Sequence, residues 1–328
     1  MPIHIIFAVL IAVPALAYGA IQSTFDAKGS NAAQILEITW VLFVGGGLIF
    51  VAVMLLALLA LFGPPAVRAG LGRRAWIIGG GIAFPVVVLS ALLIHTFMVA
   101  SRMVQAQDSP AARVEVAGEL WWWRVRYLDE TGKTIVETAN EIRIPAGQQV
   151  ELKLISNNVI HSFWVPNLAG KIDMIPGHVN TLRMQADAPG VFRGQCAEYC
   201  GAQHAKMAFH VVAQTADEYA AWLEAQKRAA VEPEDRVLQR GKALFLNNRC
   251  GLCHTIRGTP ADGAIGPDLT HVGSRLSIAA GTLPNGQGAI AGWIADSQHI
   301  KPGNRMPAFN QFSGEDLRAL SAYMESLQ

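Results

Sequence analysis

Charge is scarce in this chain: Asp, Glu, Lys and Arg make up 16% of its 328 residues, against 52% hydrophobic residues, and the mean hydropathy is +0.29. An ordinary soluble protein of this size is excluded by so apolar a composition, which calls for bilayer-spanning segments. An excess of either sign is missing too, with 26 basic against 25 acidic side chains. That argues against the concentrated basic face of a nucleic-acid-binding protein and offers no basis for electrostatic steering of a partner. No internal repeat and no low-complexity tract is present, and cysteine is limited to four positions.

The apolar residues are concentrated near the N-terminus. Ile38 to Phe62 lacks any ionisable side chain, and Ala75 to Ala100 has only His95. Each run exceeds the roughly 20 residues needed to cross a hydrocarbon core, so transmembrane helices are predicted over about 38–62 and 75–100. Pro85 and the triplets Gly45–Gly47 and Gly79–Gly81 are compatible with spanning. The short connection carries Arg68, Arg73 and Arg74 with no acid, which places it in the cytoplasm. Everything after Arg102 is then extracytoplasmic. Residues 1–20 are a further apolar stretch that lacks a basic start and ends in small residues; Ala15-Leu16-Ala17 is a candidate cleavage site, and retention as a third segment is the alternative. With no cysteine nearby, lipoprotein processing is excluded.

After the hairpin (21–103), two soluble modules follow. From 104 to 214 short alternating runs such as Val150, Leu152 and Leu154 are separated by turn residues, which predicts an antiparallel β-sandwich or barrel. Residues 215–235 read as an amphipathic helix, Ala216 to Ala229, and a polar linker, Val231 to Asp235. Residues 236–328 read as a helix over Arg236 to Asn247, a Gly- and Pro-rich middle, and a last helix capped by Ser313 with Asp316 three residues on.

The few cysteines form two pairs. Two disulfides are the default in an exported domain, but both contexts suit metal chemistry better. Cys250-Gly251-Leu252-Cys253-His254 is the C-x-x-C-H pattern of covalent c-type haem attachment, in which two thiols take the vinyl groups and the adjacent His reaches the iron. A redox dithiol or half a zinc site is the bland alternative. Met306, in a loop before the last helix, supplies the second axial ligand that such a module needs; Met324 falls within that helix and belongs to the core. The other pair sits in Cys196-Ala197-Glu198-Tyr199-Cys200, with His204 and Met207 following and His161 upstream. Two thiolates, two imidazoles and a thioether form a soft set that favours copper, and a second Cys can bridge a second copper. Tetrahedral zinc would leave Met207 unexplained, and a disulfide would leave both histidines so.

At these residues the sequence resembles subunit 2 of the haem–copper cytochrome c oxidases. His161-Ser162-Phe163-Trp164-Val165-Pro166 and the loop from Gly194 to Met207 look like that family's dinuclear CuA site, and the C-terminal module looks like the cytochrome fused to some bacterial members. The resemblance implies a cupredoxin-like β-domain and an all-α c-type cytochrome. It makes Cys196 and Cys200 the copper bridges, His161 and His204 one ligand each, Met207 a weak ligand, and the Glu198 carbonyl a ligand whose carboxylate reaches a magnesium shared with the catalytic subunit. Trp121, in the segment Gly118 to Trp123, becomes the residue through which electrons reach the copper; packing or membrane anchoring is the other reading, and the main one for Trp122 and Trp123. Pro267 would offer its carbonyl to the proximal imidazole. The remaining histidines (His4, His95, His178, His210, His271, His299) read as structural or surface residues.

Function follows as an expectation. The chain shows no general acid–base pair and no oxygen-binding site, so its own chemistry is electron transfer. The resemblance implies the electron-input subunit of a respiratory cytochrome c oxidase in a bacterial inner membrane, which would take electrons from a cytochrome c or cytochrome bc1-type donor to the oxygen-reducing catalytic subunit 1. A nitrogen-oxide reductase component, or a membrane-anchored copper carrier or redox sensor, are the rivals.

Overall fold

The computed structural model describes residues 22–104 and 109–328. The signal-like segment 1–20 lies outside the described residues. Helix α1 (Ser30–Phe62) is followed by the short helices α2 (Pro65–Leu71) and α3 (Arg74–Ile78), a π-helical turn over the glycine triplet (Gly79–Ala83), and α4 (Phe84–Val104). Two stretches, Ser30–Phe62 and Arg74–Met103, are long and apolar enough to cross a membrane. Their large side chains point outward, unburied by the rest of the chain.

Helix α1 starts earlier than the apolar run because its first turn docks on the β-domain. Asn31 Nδ2 donates to the Arg183 carbonyl at 2.8 Å, the Ala32 N–H to the Leu168 carbonyl at 3.2 Å, and Ala32 is buried. The extension brings in Glu37, which pairs with Arg102 of α4 at 3.3 Å.

The β-domain consists of β1 (Ala112–Glu119), β2 (Trp122–Leu128), β3 (Thr134–Ala139), β4 (Glu141–Pro145), β5 (Val150–Ser156), β6 (His161–Trp164), β7 (Ile172–Met174), β8 (Asn180–Met184), β9 (Gly190–Cys196) and β10 (Ala208–Gln214). They form two five-stranded sheets ordered β3-β2-β1-β5-β8 and β4-β10-β9-β6-β7, a cupredoxin-like sandwich. The purely antiparallel arrangement expected from the sequence is corrected, since β1 pairs with β5 and β10 with β4 in parallel. Alternation fixes which face of a strand is buried but not its neighbour. Between the sheets the rings of Trp123, Phe163 and Phe209 pack at centroid distances of 4.7–6.1 Å.

Helix α5 (Ala216–Lys227) opens with a capping box, Thr215 with Glu218, and ends slightly before the expected Ala229. Its Trp222 packs edge-on against Tyr127 at 5.1 Å. The C-terminal module is helical: α6 (Arg236–Asn247), α7 (Gln287–Ala295), α8 (Ser297–Ile300) and α9 (Gly314–Ser326). Asp235 caps α6 and Ser313 caps α9, where its hydroxyl accepts from the Asp316 N–H at 3.1 Å.

The two soluble modules are docked. The Ala208 N–H donates to the Ala280 carbonyl at 2.9 Å, the Leu276 N–H to Glu141 Oε2 at 2.8 Å, and the Arg124 guanidinium to the Ala264 carbonyl at 2.8 Å.

Candidate metal and haem centres

Strand β6 delivers His161 and the end of β9 delivers Cys196, while the loop to β10 carries Cys200, His204 and Met207. The loop folds back on its strand through the Cys196 N–H, which donates to the Met207 carbonyl at 2.9 Å. The donor atoms converge. The Cys196 and Cys200 sulfurs lie 3.7 Å apart, far beyond the roughly 2.05 Å of a disulfide. Each sulfur has its own imidazole: Cys196 faces His161 Nδ1 at 3.8 Å, and Cys200 faces His204 Nδ1 at 3.7 Å. Met207 Sδ is 3.8 Å from the Cys200 sulfur, and the Glu198 carbonyl is 3.2 Å from that of Cys196.

The surroundings prepare these atoms for a soft cation. Cys200 is the strongest of the neighbours that hold the Cys196 thiol well below its ordinary value, against burial. Conversely Cys196, together with burial, pushes Cys200 up. Asn158 Oδ1 lies 3.0 Å from His161 Nε2, so that nitrogen carries the proton and Nδ1 presents its lone pair to the sulfurs. Asn158 was not singled out in the sequence; its signal is only its nearness to His161. The Glu198 carboxylate contacts Lys171 Nζ at 3.4 Å.

Trp121 lies over this loop. Its indole N–H donates to the Cys200 carbonyl at 2.8 Å. Gly201 follows at φ +106°, and a Cβ there would lie 3.2 Å from the indole, so both conformation and space favour glycine. Trp122 stacks under the Arg124 guanidinium at 4.7 Å, and Trp123 is core.

The second centre is a cavity of about 370 Å³, within the usual span of cofactor pockets. Cys250, Cys253, His254 and Met306 all line it. Both thiols are free, and burial raises that of Cys250 to about 11. Pro267 accepts from His254 Nδ1 at 2.8 Å, which leaves Nε2 available to a metal; burial lowers the pKa of this imidazole. The Met306 loop is held by its own turn: the Met306 N–H donates to Asn304 Oδ1, and its carbonyl accepts from Ser297 and Gln298, each at 2.7 Å. Met324 is buried in α9, as expected of a core residue. Arg275 also lines the cavity, buried, with Nε lacking any partner among the described residues. Such an orphaned cationic donor fits the propionates of a haem. Donor chemistry and cavity thus suit copper at the first centre and haem at the second.

A metal loop on a cupredoxin-like sandwich, a cytochrome-like helical module and two apolar helices define a membrane-anchored redox protein with an extracytoplasmic portion. The model of cytochrome c oxidase subunit II, periplasmic domain, matches residues 124–215, and that of cytochrome c matches 238–328. Cytochrome c oxidase subunit 2 of Alkalihalophilus pseudofirmus is 38% identical over 249 residues, 74% of this chain and 71% of that protein. The Bacillus subtilis subunit 2 is 30% identical over 257 residues, 75% of this chain and 70% of that protein. The crystallised periplasmic domain of subunit II of cytochrome oxidase from Bradyrhizobium japonicum is 29% identical, covering 36% of this chain and 95% of that one with a TM-score of 0.34. On the first of these relationships the chain belongs to the cytochrome c oxidase subunit 2 family, with a cytochrome c domain at its C-terminus. It is therefore a subunit of a haem–copper oxidase, assembling with a catalytic subunit, and its families imply copper and haem.

Proposed function

We propose that this chain receives electrons from a cytochrome c or cytochrome bc1-type donor on a covalent haem c and passes them through a dinuclear CuA centre to the oxygen-reducing subunit. The observation that carries the reading is the paired geometry at the first centre, one imidazole for each of two sulfurs 3.7 Å apart. Cys196 and Cys200 would hold the copper through their sulfurs, with His161, His204, the weaker Met207 thioether and the Glu198 carbonyl as the further ligands. Cys250 and Cys253 would form the thioethers, and His254 and Met306 would be the ligands that hold the iron. When bound, each group stores one electron at a time, and the rigid sandwich keeps reorganisation small.

Trp121 lies between the two, bonded to the copper loop and lining the haem cavity. In the assembled oxidase the Glu198 carboxylate exchanges Lys171 for a magnesium at the boundary with the catalytic subunit. Both apolar helices span a bacterial inner membrane, with Arg68, Arg73 and Arg74 on the cytoplasmic side and both modules outside. In this scheme domain limits run near 104, 215 and 236.

Copper and iron content with optical and electron-paramagnetic spectra test the reading. About two coppers in a delocalised pair and one covalently held haem iron per chain are expected. A single copper or a zinc at the first centre, or a haem extracted by acidic acetone, overturns it.

A further inference from the structure

Lys301 takes no part in the ligand sets just described, yet it is only 3% exposed and lines the haem cavity. It follows α8, at the start of the loop that carries Met306. Among the described residues no carboxylate pairs with it. Its ammonium instead donates to two main-chain carbonyls, that of Trp121 in the other module at 2.8 Å and that of Ala279 in its own at 3.2 Å. Burying an ammonium with only neutral acceptors is costly, and its charge is correspondingly hard to keep: desolvation pushes its pKa down to about 7. A residue so placed for packing alone would serve better as Met or Leu.

The carbonyl and the indole of Trp121 are thus held by two different segments. Lys301 of the haem module grips the first, and the Cys200 carbonyl of the copper loop accepts from the second. Two further bonds draw the same segment onto the copper loop, Gln203 Nε2 to the Pro302 carbonyl at 2.6 Å and Lys206 Nζ to the Ile300 carbonyl at 2.5 Å. From the other side Arg124, itself buried, reaches the Ala264 carbonyl just ahead of Gly266-Pro267.

We propose that Lys301 is a positioning residue for electron transfer between the two modules: it fixes the Trp121 main chain beneath the haem cavity and latches the haem module over this face, closing it to any mobile donor. The inference rests on the redox reading above. The step it serves is simple. One electron leaves the haem site, which is oxidised by one unit, and one arrives at the copper site, which is reduced by one unit; no bond changes and no proton moves. The external donor then delivers to the haem module, which contacts Trp121 and leaves it only partly exposed.

The test compares the assembled oxidase with Lys301→Met and Gln203→Ala variants. Metal and haem content and the two reduction potentials are measured first. Absence of either group from the unaltered complex refutes the underlying redox reading rather than the latch. The rate of haem-to-copper transfer after flash reduction and the amide hydrogen exchange of the segment around Trp121 follow. In Lys301→Met the rate should fall about 10- to 100-fold, more than any accompanying shift of the two potentials accounts for, as a small misplacement of a reacting group commonly costs. Exchange around Trp121 should rise, and a soluble donor should begin to reduce the copper directly. Unchanged rate and protection in Lys301→Met overturn the proposal. Should that variant fail to load haem, Gln203→Ala carries the same comparison, and an unchanged rate there has the same meaning.

Discussion

The indole N–H of Trp121 donates to the Cys200 carbonyl at 2.8 Å, so a tryptophan that lines the second cavity is bonded to the backbone of a candidate copper ligand. Trp121→Phe keeps an aromatic ring but deletes this donor. Haem-to-copper transfer should slow by about tenfold or more while the copper content stays the same. Flash-reduction kinetics beside metal analysis check this, and an unaltered rate would assign Trp121 to packing.

Asn158 bears on the copper site without touching it. Removing its carbonyl in Asn158→Ala frees the His161 ring to rotate and to protonate on Nδ1. Loss of such a supporting bond commonly weakens a metal site by about 10- to 100-fold. Copper retention against a competing chelator measures it, and retention equal to the unaltered chain would count against the tautomer assignment.

The haem pocket is tight beside its histidine. A Cβ at Gly266 would fall 2.6 Å from His254 Cε1, so Gly266→Ala must move the imidazole or the loop that carries Pro267. Overpacking of this kind costs about 1–3 kcal/mol. A lower unfolding midpoint together with a displaced haem spectrum is the expected result. A normal midpoint and spectrum would mean that the loop yields freely.

Glu115 gives the β-domain a pH dependence. Burial opposes its charge, but Lys153 Nζ at 2.7 Å and the Arg126 guanidinium at 3.1 Å outweigh this and hold its pKa below the ordinary 4.5. A carboxylate depressed on folding contributes stability that is full above the unfolded value and is lost as pH falls through the folded one. Glu115→Gln should destabilise the chain by about 1 kcal/mol at neutral pH. Denaturant midpoints should converge with those of the unaltered chain as pH falls below the ordinary carboxylate range. A gap that does not change with pH would refute the electrostatic account.

Much of this molecule is written locally. Lengths of uncharged sequence marked the two apolar helices, because the hydrocarbon core sets a length and forbids charge. The start of the last helix at Ser313 was readable because a cap is made by residues within one turn of each other. The ligand candidates were readable too, since Cys250 to His254 and Cys196 to Met207 are each short enough for spacing to carry the chemistry.

What escaped the sequence depends on distant residues. The parallel partners of β1 and β10 were not foreseen, because strand alternation encodes a buried face and not a neighbour. Glu37 fell outside the apolar run, and only the docking of the first turn of α1 on the β-domain brought it into the helix. The sequence by itself determined most of the elements and the candidate side chains of each centre. Only the tertiary structure decided that Trp121 bonds the loop of Cys200 and also lines the second cavity. Lys301 and Trp121 are separated by most of the soluble chain, and a contact of that range arises from packing two modules together rather than from the spacing of residues within either.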